Sequence, residues 1–266
     1  MIRRLTDQLG RTVEVPLKPQ RIISVVPSQT ELLFALGLDE EVIGITKFCV
    51  HPEEQFRKKE RIGGTKRLNL DRIRALKPDF ILANKEENDA EQILALAEEF
   101  PVWVSDILTL EDSTEMIRQI SKIMGVPLKG EQMSLEISKG FNLFTPPRSY
   151  KTAYFIWHEP MMVAASQTFI DHILNIAGFD NVFAHLERYP KISEQDLRLY
   201  QPEVVLLSSE PFPFRDKHIS YFKELCPRAR VQLVDGELFS WYGNRLLLTP
   251  PYLKTLHDTL RINSTV

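Results

Sequence analysis

"LDRIRALKPDFIL", at residues 70–82, sets the architecture of this chain. Leu70, Ile73 and Leu76 or Lys77 recur at helical spacing, and Lys77 precedes Pro78, which disfavours further helix. The spacing therefore predicts a helix that stops at the proline. Phe80, Ile81 and Leu82 follow as a short continuous apolar run, the pattern of a strand buried on both faces of a parallel sheet. "EQDLRLYQPEVVLL", at residues 194–207, repeats the arrangement with Leu197, Tyr200, Pro202 and then four apolar residues from Val204. Setting Pro78 on Pro202 also puts Arg74 on Arg198 and Asp79 on Glu203.

The neighbours match as well. Upstream of the first copy, "RIISVVPSQTELLFALGLDEEVIGI" reads as a strand, a turn at Pro27 and a helix through Leu32, Leu33 and Leu36 ended by Gly37. Upstream of the second, "TAYFIWHEPMMVAASQTFIDHILNIAGFDNVFA" gives strand, loop and a helix through Ile170, Ile173, Leu174 and Ile176 ended near Gly178. Downstream, "DAEQILALAEEFPVWVSDI" and "DKHISYFKELCPRARVQLVDG" each read as helix then strand. Two α/β halves with mostly parallel sheets follow, an internal duplication at domain scale. Between them, Met116, Ile117, Ile120 and Ile123 form one helical face, and a second pattern runs through Met133, Ile137 and Phe141. The expected division is 1–108 for the N-terminal lobe, 109–150 for a stiff helical link and 151–266 for the C-terminal lobe.

A chain of 266 residues with 43% apolar composition can bury one large core or two of ordinary domain size. Its 33 basic and 36 acidic residues leave a net charge of −3, and no basic block follows a phosphate backbone, so nucleic acid is not an indicated partner. A small molecule fits better, with a monomer as the default state. In the opening "MIRRLTDQLGRTVEVPLKPQ", Asp7, Gln8, Arg11, Glu14 and Lys18 interrupt every stretch that could serve as the apolar part of a secretion signal. No window approaches the ~20 apolar residues of a membrane-spanning helix. Cys49 and Cys226 form neither a CxxC pair nor a disulfide framework.

In open parallel sheets ligands collect at the carboxyl ends of the strands. Two facing lobes would make a cleft there. The expected lining loops are "PSQTE", "KFCVHPE", "GGTKR" and "NKEEN" from the first half, and "WHEP", "ERYPK", "SSEPFPF" and "FSWYGNR" from the second.

Taken together, "DQLGRTVEVPLKPQRIISVVPSQTELLFALG", "NLDRIRALKPDFILA", "TFIDHILNIAGFDNVF" and "LFSWYGNRL" resemble the helical-backbone substrate-binding proteins of ABC importers for cobalamin, haem and ferric siderophores, in order across nearly the whole chain. The cobalamin-binding branch is the nearest in resemblance. It implies two Rossmann-like lobes joined by a long backbone helix, a ligand cleft between the lobes, no catalysis, no intrinsic cofactor, and a chelated metal compound (corrinoid, haem or ferric siderophore) as ligand. It also implies an ABC permease as partner and a periplasmic or cell-surface location; absence of a secretion signal would instead favour a cytosolic tetrapyrrole-handling enzyme or chaperone on the same scaffold.

On matching positions Phe48 and Tyr189 keep the aromatic ring that stacks on a corrin, and Trp241 lies in the similar terminal loop. Thr65 stands where the cobalamin binders carry tryptophan, and Lys66 and Arg67 beside it suit an anionic ligand. The expected ligand contacts are Phe48, His51, Thr65, Lys66, Trp157, His158, Tyr189, Glu210, Phe212, Phe214, Trp241, Tyr242 and Arg245. Trp157, Phe212, Phe214, Trp241 and Tyr242 lie among prolines and polar loop residues, where large rings have little structural use. Rings are otherwise more often core than contact, and Phe48 and Phe239 read first as core. The resemblance assigns permease docking to acids in the first turn of the duplicated helix, Asp71 in one half and Glu194, beside Gln195, in the other. Such acids also oppose the helix dipole without any partner.

Direct metal binding would draw on Cys49, His51, His158, Glu159 or Glu210, but only Cys49 and His51 are close in sequence and no second pair completes a site. No structural metal is expected. "GGTKR" lacks the P-loop spacing, no GxSxG elbow occurs, and Ser28 reads as the N-cap of its helix in a capping box with Glu31. No catalytic residue is assigned.

Overall fold

A computed structural model describes residues 2–262. The described residues form two compact units, 2–107, 111–137 and 242–244 in the first, and 108–110, 138–241 and 245–262 in the second.

The first unit opens with an antiparallel hairpin, β1 (Ile2–Thr6) and β2 (Thr12–Pro16). Then come β3 (Ile22–Ser24), α1 (Pro27–Ala35), β4 (Val42–Ile45), α2 (Glu53–Lys58), β5 (Glu60–Arg61), the small hairpin β6 (Gly63–Gly64) and β7 (Arg67–Leu68), α3 (Leu70–Leu76), β8 (Phe80–Asn84), α4 (Ala90–Ala97) and β9 (Val102–Ser105). All neighbours in the sheet of order β5-β4-β3-β8-β9 are parallel. Helix α5 (Leu110–Ile123) buries Met116, Ile117, Ile120 and Ile123, the face read from the sequence, and α6 (Pro127–Leu143) follows.

The second unit contains β10 (Tyr150–Trp157), β11 (Met162–Val163), α7 (Phe169–Ile176), β12 (Phe179–Asn181), α8 (Glu194–Tyr200), β13 (Val204–Ser208), α9 (Asp216–Leu225), β14 (Arg230–Val234), α10 (Glu237–Ser240), a 3-10 turn at Asn244–Leu247 and α11 (Thr249–Ile262). Its strands run β11-β10-β13-β14, with β12 also on β10; only β11 is antiparallel.

The duplicated stretch is duplicated in its atoms. Strands β8 and β13 are buried at every residue, as expected for runs covered on both faces. Helices α3 and α8 start on side-chain caps, Asn69 accepting from the Arg72 amide and Ser193 from that of Asp196. Both end on a left-handed residue before the proline, Lys77 at φ 46° and Gln201 at φ 44°. One residue after each proline, a carboxylate reaches back to the neighbouring strand. Asp79 accepts from the Arg21 and Gln20 amides, 2.8 Å each, and Glu203 from the Lys151 amide at 3.0 Å. The Asp79 amide donates to the Arg21 carbonyl at 3.0 Å and the Glu203 amide to that of Lys151 at 2.7 Å. Gly37 (φ +79°) and Gly178 (φ +72°) follow α1 and α7 in the left-handed conformation that glycine adopts without a Cβ penalty.

One expectation is corrected here. Helix α1 starts at Pro27, with Val26 at the cap position and no side-chain cap, so Ser28 lies inside the first turn rather than capping it. Proline at the first helical position already accounts for one of the orphan amides a cap would satisfy.

Because Asp79 and Glu203 satisfy equivalent amides at the foot of each sheet, Asp79→Ala and Glu203→Ala should each lower stability by about 1 kcal/mol, near-additively in the double variant, as read from urea midpoints.

Candidate functional site

At the carboxyl edge of the first sheet, buried amides hold the loops. The Asn88 side chain donates to the carbonyls of Val25 at 3.0 Å and Thr65 at 3.1 Å, and its oxygen accepts from the Asn84 amide at 2.8 Å. One residue thus ties the ends of β3 and β8 to the β6–β7 hairpin. Asn84 accepts from the amides of Glu86 and Glu87 and donates to the Ser105 hydroxyl, to which the buried Gln29 also donates. None of these four residues was singled out from the sequence. Their signal is a polar side chain at the end of an apolar strand ("ILAN", "VWVS") or in the first turn that follows one ("PSQTE"). Tyr242 is buried in this unit beside Ser28 and Ser105, and burial pushes its phenol well above the ordinary value.

Next to this network lies an open groove of about 790 Å³ lined by Lys47, Phe48, Gly64, Thr65, Lys66 and Arg67, with Asp71 also on its wall. The Lys47 amide donates to the Gly63 carbonyl at 2.8 Å, fixing the Phe48 segment to the hairpin. Gly63, at φ +107°, is required: a Cβ there would stand 2.5 Å from the Arg67 carbonyl oxygen. Phe48 is 51% exposed, so its reading as core is overturned, while Phe239 is fully buried as expected. A Cβ on Gly64 would meet the Phe48 ring at 3.1 Å, and the missing side chain lets that ring lie against the hairpin. Lys66 donates to the carbonyls of Glu86 and Asn88. His51 is half-buried and is not among the groove-lining residues.

At the carboxyl edge of the second sheet, Trp157 is 38% exposed, packs on Phe212 at 5.6 Å and donates from Nε1 to the Glu159 carbonyl. Beneath it the His158 ring contacts Phe212, Phe214, His218, Tyr221 and Phe222 at 5.1–6.2 Å. Burial lowers the His218 pKa, and its Nδ1 accepts from the Arg215 amide. Phe214 belongs to the apolar core, and Phe212 packs against it half-buried. Tyr189 is half-buried, with the Arg188 guanidinium 6.0 Å from its ring.

Glu210 is a support for other residues. Its carboxylate accepts from Trp241 Nε1 at 2.8 Å and from the Ser240 hydroxyl at 2.6 Å. Trp241 is itself buried, and Arg245 stacks over its ring at 4.8 Å while pairing with Glu237 at 2.7 Å. The expected contacts therefore divide by exposure. Phe48, Thr65, Lys66, Trp157, Tyr189 and Phe212 keep accessible surface, whereas Phe214, Trp241 and Tyr242 are enclosed.

Asp71 is 96% exposed in its side chain and 3.2 Å from Arg74; Glu194 pairs with Arg198 at 3.2 Å and accepts from the Tyr221 hydroxyl at 2.9 Å. Asp196 is engaged in the capping box of α8, and its bonds from Ser193 hold it below the usual carboxylate range. Among the described residues no group of three or more His, Cys, Asp or Glu could hold a metal ion, and no helix is long and apolar enough to cross a membrane.

Burial raises the Glu210 pKa above its ordinary value of 4.5. Its contribution to folding is therefore greatest below that value and falls as pH rises through the folded pKa. Glu210→Gln does not titrate, so its stability relative to the parent should improve between about pH 4 and pH 8. Glu210→Ala, which leaves Trp241 Nε1 without its acceptor, should cost about 1–3 kcal/mol. Urea midpoints at both pH values check the two variants.

Comparison with known proteins shows the fold and the family. The chain is 28% identical over 240 residues to the vitamin B12-binding protein of Pectobacterium carotovorum subsp. carotovorum, covering 86% of this chain and 85% of that one. It is 28% identical over 245 residues to the vitamin B12-binding protein of Photorhabdus laumondii subsp. laumondii, covering 88% and 86%. The fold matches the periplasmic vitamin B12-binding protein BtuF of Vibrio cholerae with a TM-score of 0.80 at 20% identity, over 92% of this chain and 99% of that one. A periplasmic haem-binding protein of Pseudomonas aeruginosa matches at 0.75 and 22%, over 91% and 92%. The periplasmic binding protein family matches residues 22–224, and the chain belongs to that family.

Proposed function

We propose that the protein is the substrate-binding component of an ABC importer, and that it carries a chelated metal compound, a corrinoid, haem or ferric siderophore, without changing it chemically. The observation that carries this reading is the similarity to vitamin B12-binding proteins along 86% of the chain. Each carboxyl edge, taken by itself, offers ring surface of the kind such a ligand stacks on. Phe48 on the first unit and Trp157, Tyr189 and Phe212 on the second offer accessible ring surface, and stacking adds to burial for a flat polarizable macrocycle. Gln29, Asn84, Asn88 and Ser105 bond to one another and to the loop backbone, leaving the buried Gln29 Oε1 without a partner among the described residues, and such a network keeps loops in a pre-formed shape. Family membership supports action in the periplasm, and the acids Asp71 and Glu194 are the proposed contacts for arginines of the permease.

Titration with cyanocobalamin, haemin and a ferric siderophore, followed by tryptophan fluorescence, should give saturable quenching by at least one ligand with a Kd of roughly 1 μM or tighter. Silence toward all three overturns the reading. The Asp71→Ala/Glu194→Ala double variant should lose about tenfold in capture by the reconstituted permease while binding ligand at least as tightly as the parent, since the only groove-wall charge it removes is an acid. Undiminished capture removes the docking role.

A further inference from the structure

We infer that the groove on the first unit selects among flat metal chelates by the negative charge on their rim, with Lys47 and Arg67 as the selecting residues and Phe48 as the stacking face. This inference rests on the transport reading above and narrows it to a ligand with a rim oxyanion, either a carboxylate or a phosphodiester.

Three cations, Lys47, Lys66 and Arg67, line the groove against one acid, Asp71. Asp71 already has Arg74 at 3.2 Å. The acids of the adjoining loop, Glu86 and Glu87, lie near the buried Tyr242 and are not groove-lining residues. Of the cations, Lys66 is committed to the carbonyls of Glu86 and Asn88, where it braces the hairpin. Lys47 and Arg67 are exposed, and among the described residues neither forms an ion pair. Two uncompensated cations thus face the groove. The Lys47 ammonium stands 5.0 Å from the centroid of the half-exposed Phe48 ring. A macrocycle stacked on Phe48 would bring its peripheral substituents to that ammonium, so stacking and charge pairing act on one ligand in one pose. A neutral chelate would gain the stacking alone.

The test uses the whole protein and two ligand pairs: haemin against haemin dimethyl ester, which lacks free carboxylates, and cyanocobalamin against dicyanocobinamide, which lacks the phosphodiester. The parent protein should bind the oxyanion-bearing member of at least one pair about tenfold more tightly. That preference should shrink as salt rises from about 0.05 to about 0.5 M, since the groove opens to solvent. It should also vanish in Lys47→Gln/Arg67→Gln, whose urea midpoint should stay close to the parent's, since neither side chain is buried and only the exposed contact of Lys47 with Phe48 is lost. A preference confined to the haemin pair identifies the carboxylate, and one confined to the cobalamin pair identifies the phosphodiester. Equal affinity within both pairs, or a preference that survives in the double variant, overturns this inference while the transport reading stands. Failure of all four compounds to bind overturns this inference, and the transport reading falls with it only when the ferric siderophore is refused as well.

Discussion

In each half of the chain, a carboxylate one residue past a proline holds the amides at the foot of the neighbouring strand. Asp79 does so for β3 and Glu203 for β10, in the same register: Ile22 pairs with Phe80, and Thr152 with Val204. The rest of the connection follows from the proline. It disfavours helical backbone before it, so Lys77 and Gln201 turn into the left-handed region and close their helices. With the amino ends of the central strands fixed this way, the loops at the opposite ends can differ without disturbing the sheet.

They do differ. The first unit finishes its strands in amides and hydroxyls that bond to one another and to the loop backbone, so the backbone there is shaped by hydrogen bonds that tolerate few alternatives. The second unit finishes in rings. Trp157, His158, Phe212 and Phe214 stack into a continuous aromatic layer that grades into the core through Phe222, and Glu210 anchors Trp241 at its side. A ring layer is shaped by packing, and its outermost members can meet a ligand while the inner ones keep them in place. The buried Glu210 carboxylate carries a desolvation cost that its two donors offset in part, the arrangement expected of a group retained to position a neighbour.

Much of the fold was legible because period and punctuation agree. Alternating helical and continuous apolar patterns, with Pro78, Pro202, Gly37 and Gly178 at the joints, mark the strands β3, β8, β9, β10, β13 and β14 and the helices α1, α3, α4, α7, α8 and α9. Hairpins were not legible. β6 and β7 have two residues each, too short for any period, and β1–β2 is held by the buried Asp7 carboxylate through Leu9, Arg11 and Val104, a contact invisible to local pattern. At the site, position in a loop was a poor guide to exposure. Trp241 and Tyr242 follow one another in a loop, yet both are enclosed, because Glu210 fixes the indole in the second unit while the phenol packs into the first. Phe48 shows the opposite error: a ring flanked by Lys47 and Cys49 reads as core, but the hairpin glycine beneath it provides a floor and no cover.

That exposed ring bears on why the groove is charged as it is. Leaving apolar surface in water forgoes about 25 cal/mol for each Å² that burial would have stabilised, so half a phenylalanine side chain is a modest standing cost to the free protein. The ammonium of Lys47 over the ring recovers part of it, since a cation held against an aromatic face is attracted by the ring quadrupole. A stacked ligand must displace or complement that cation. A neutral macrocycle competes with it for the ring, whereas an anionic rim keeps the ammonium in place and adds an ion pair to the stack. Under the charge selection inferred above, the side chain that stabilises the exposed ring is also the one that favours a negatively charged guest.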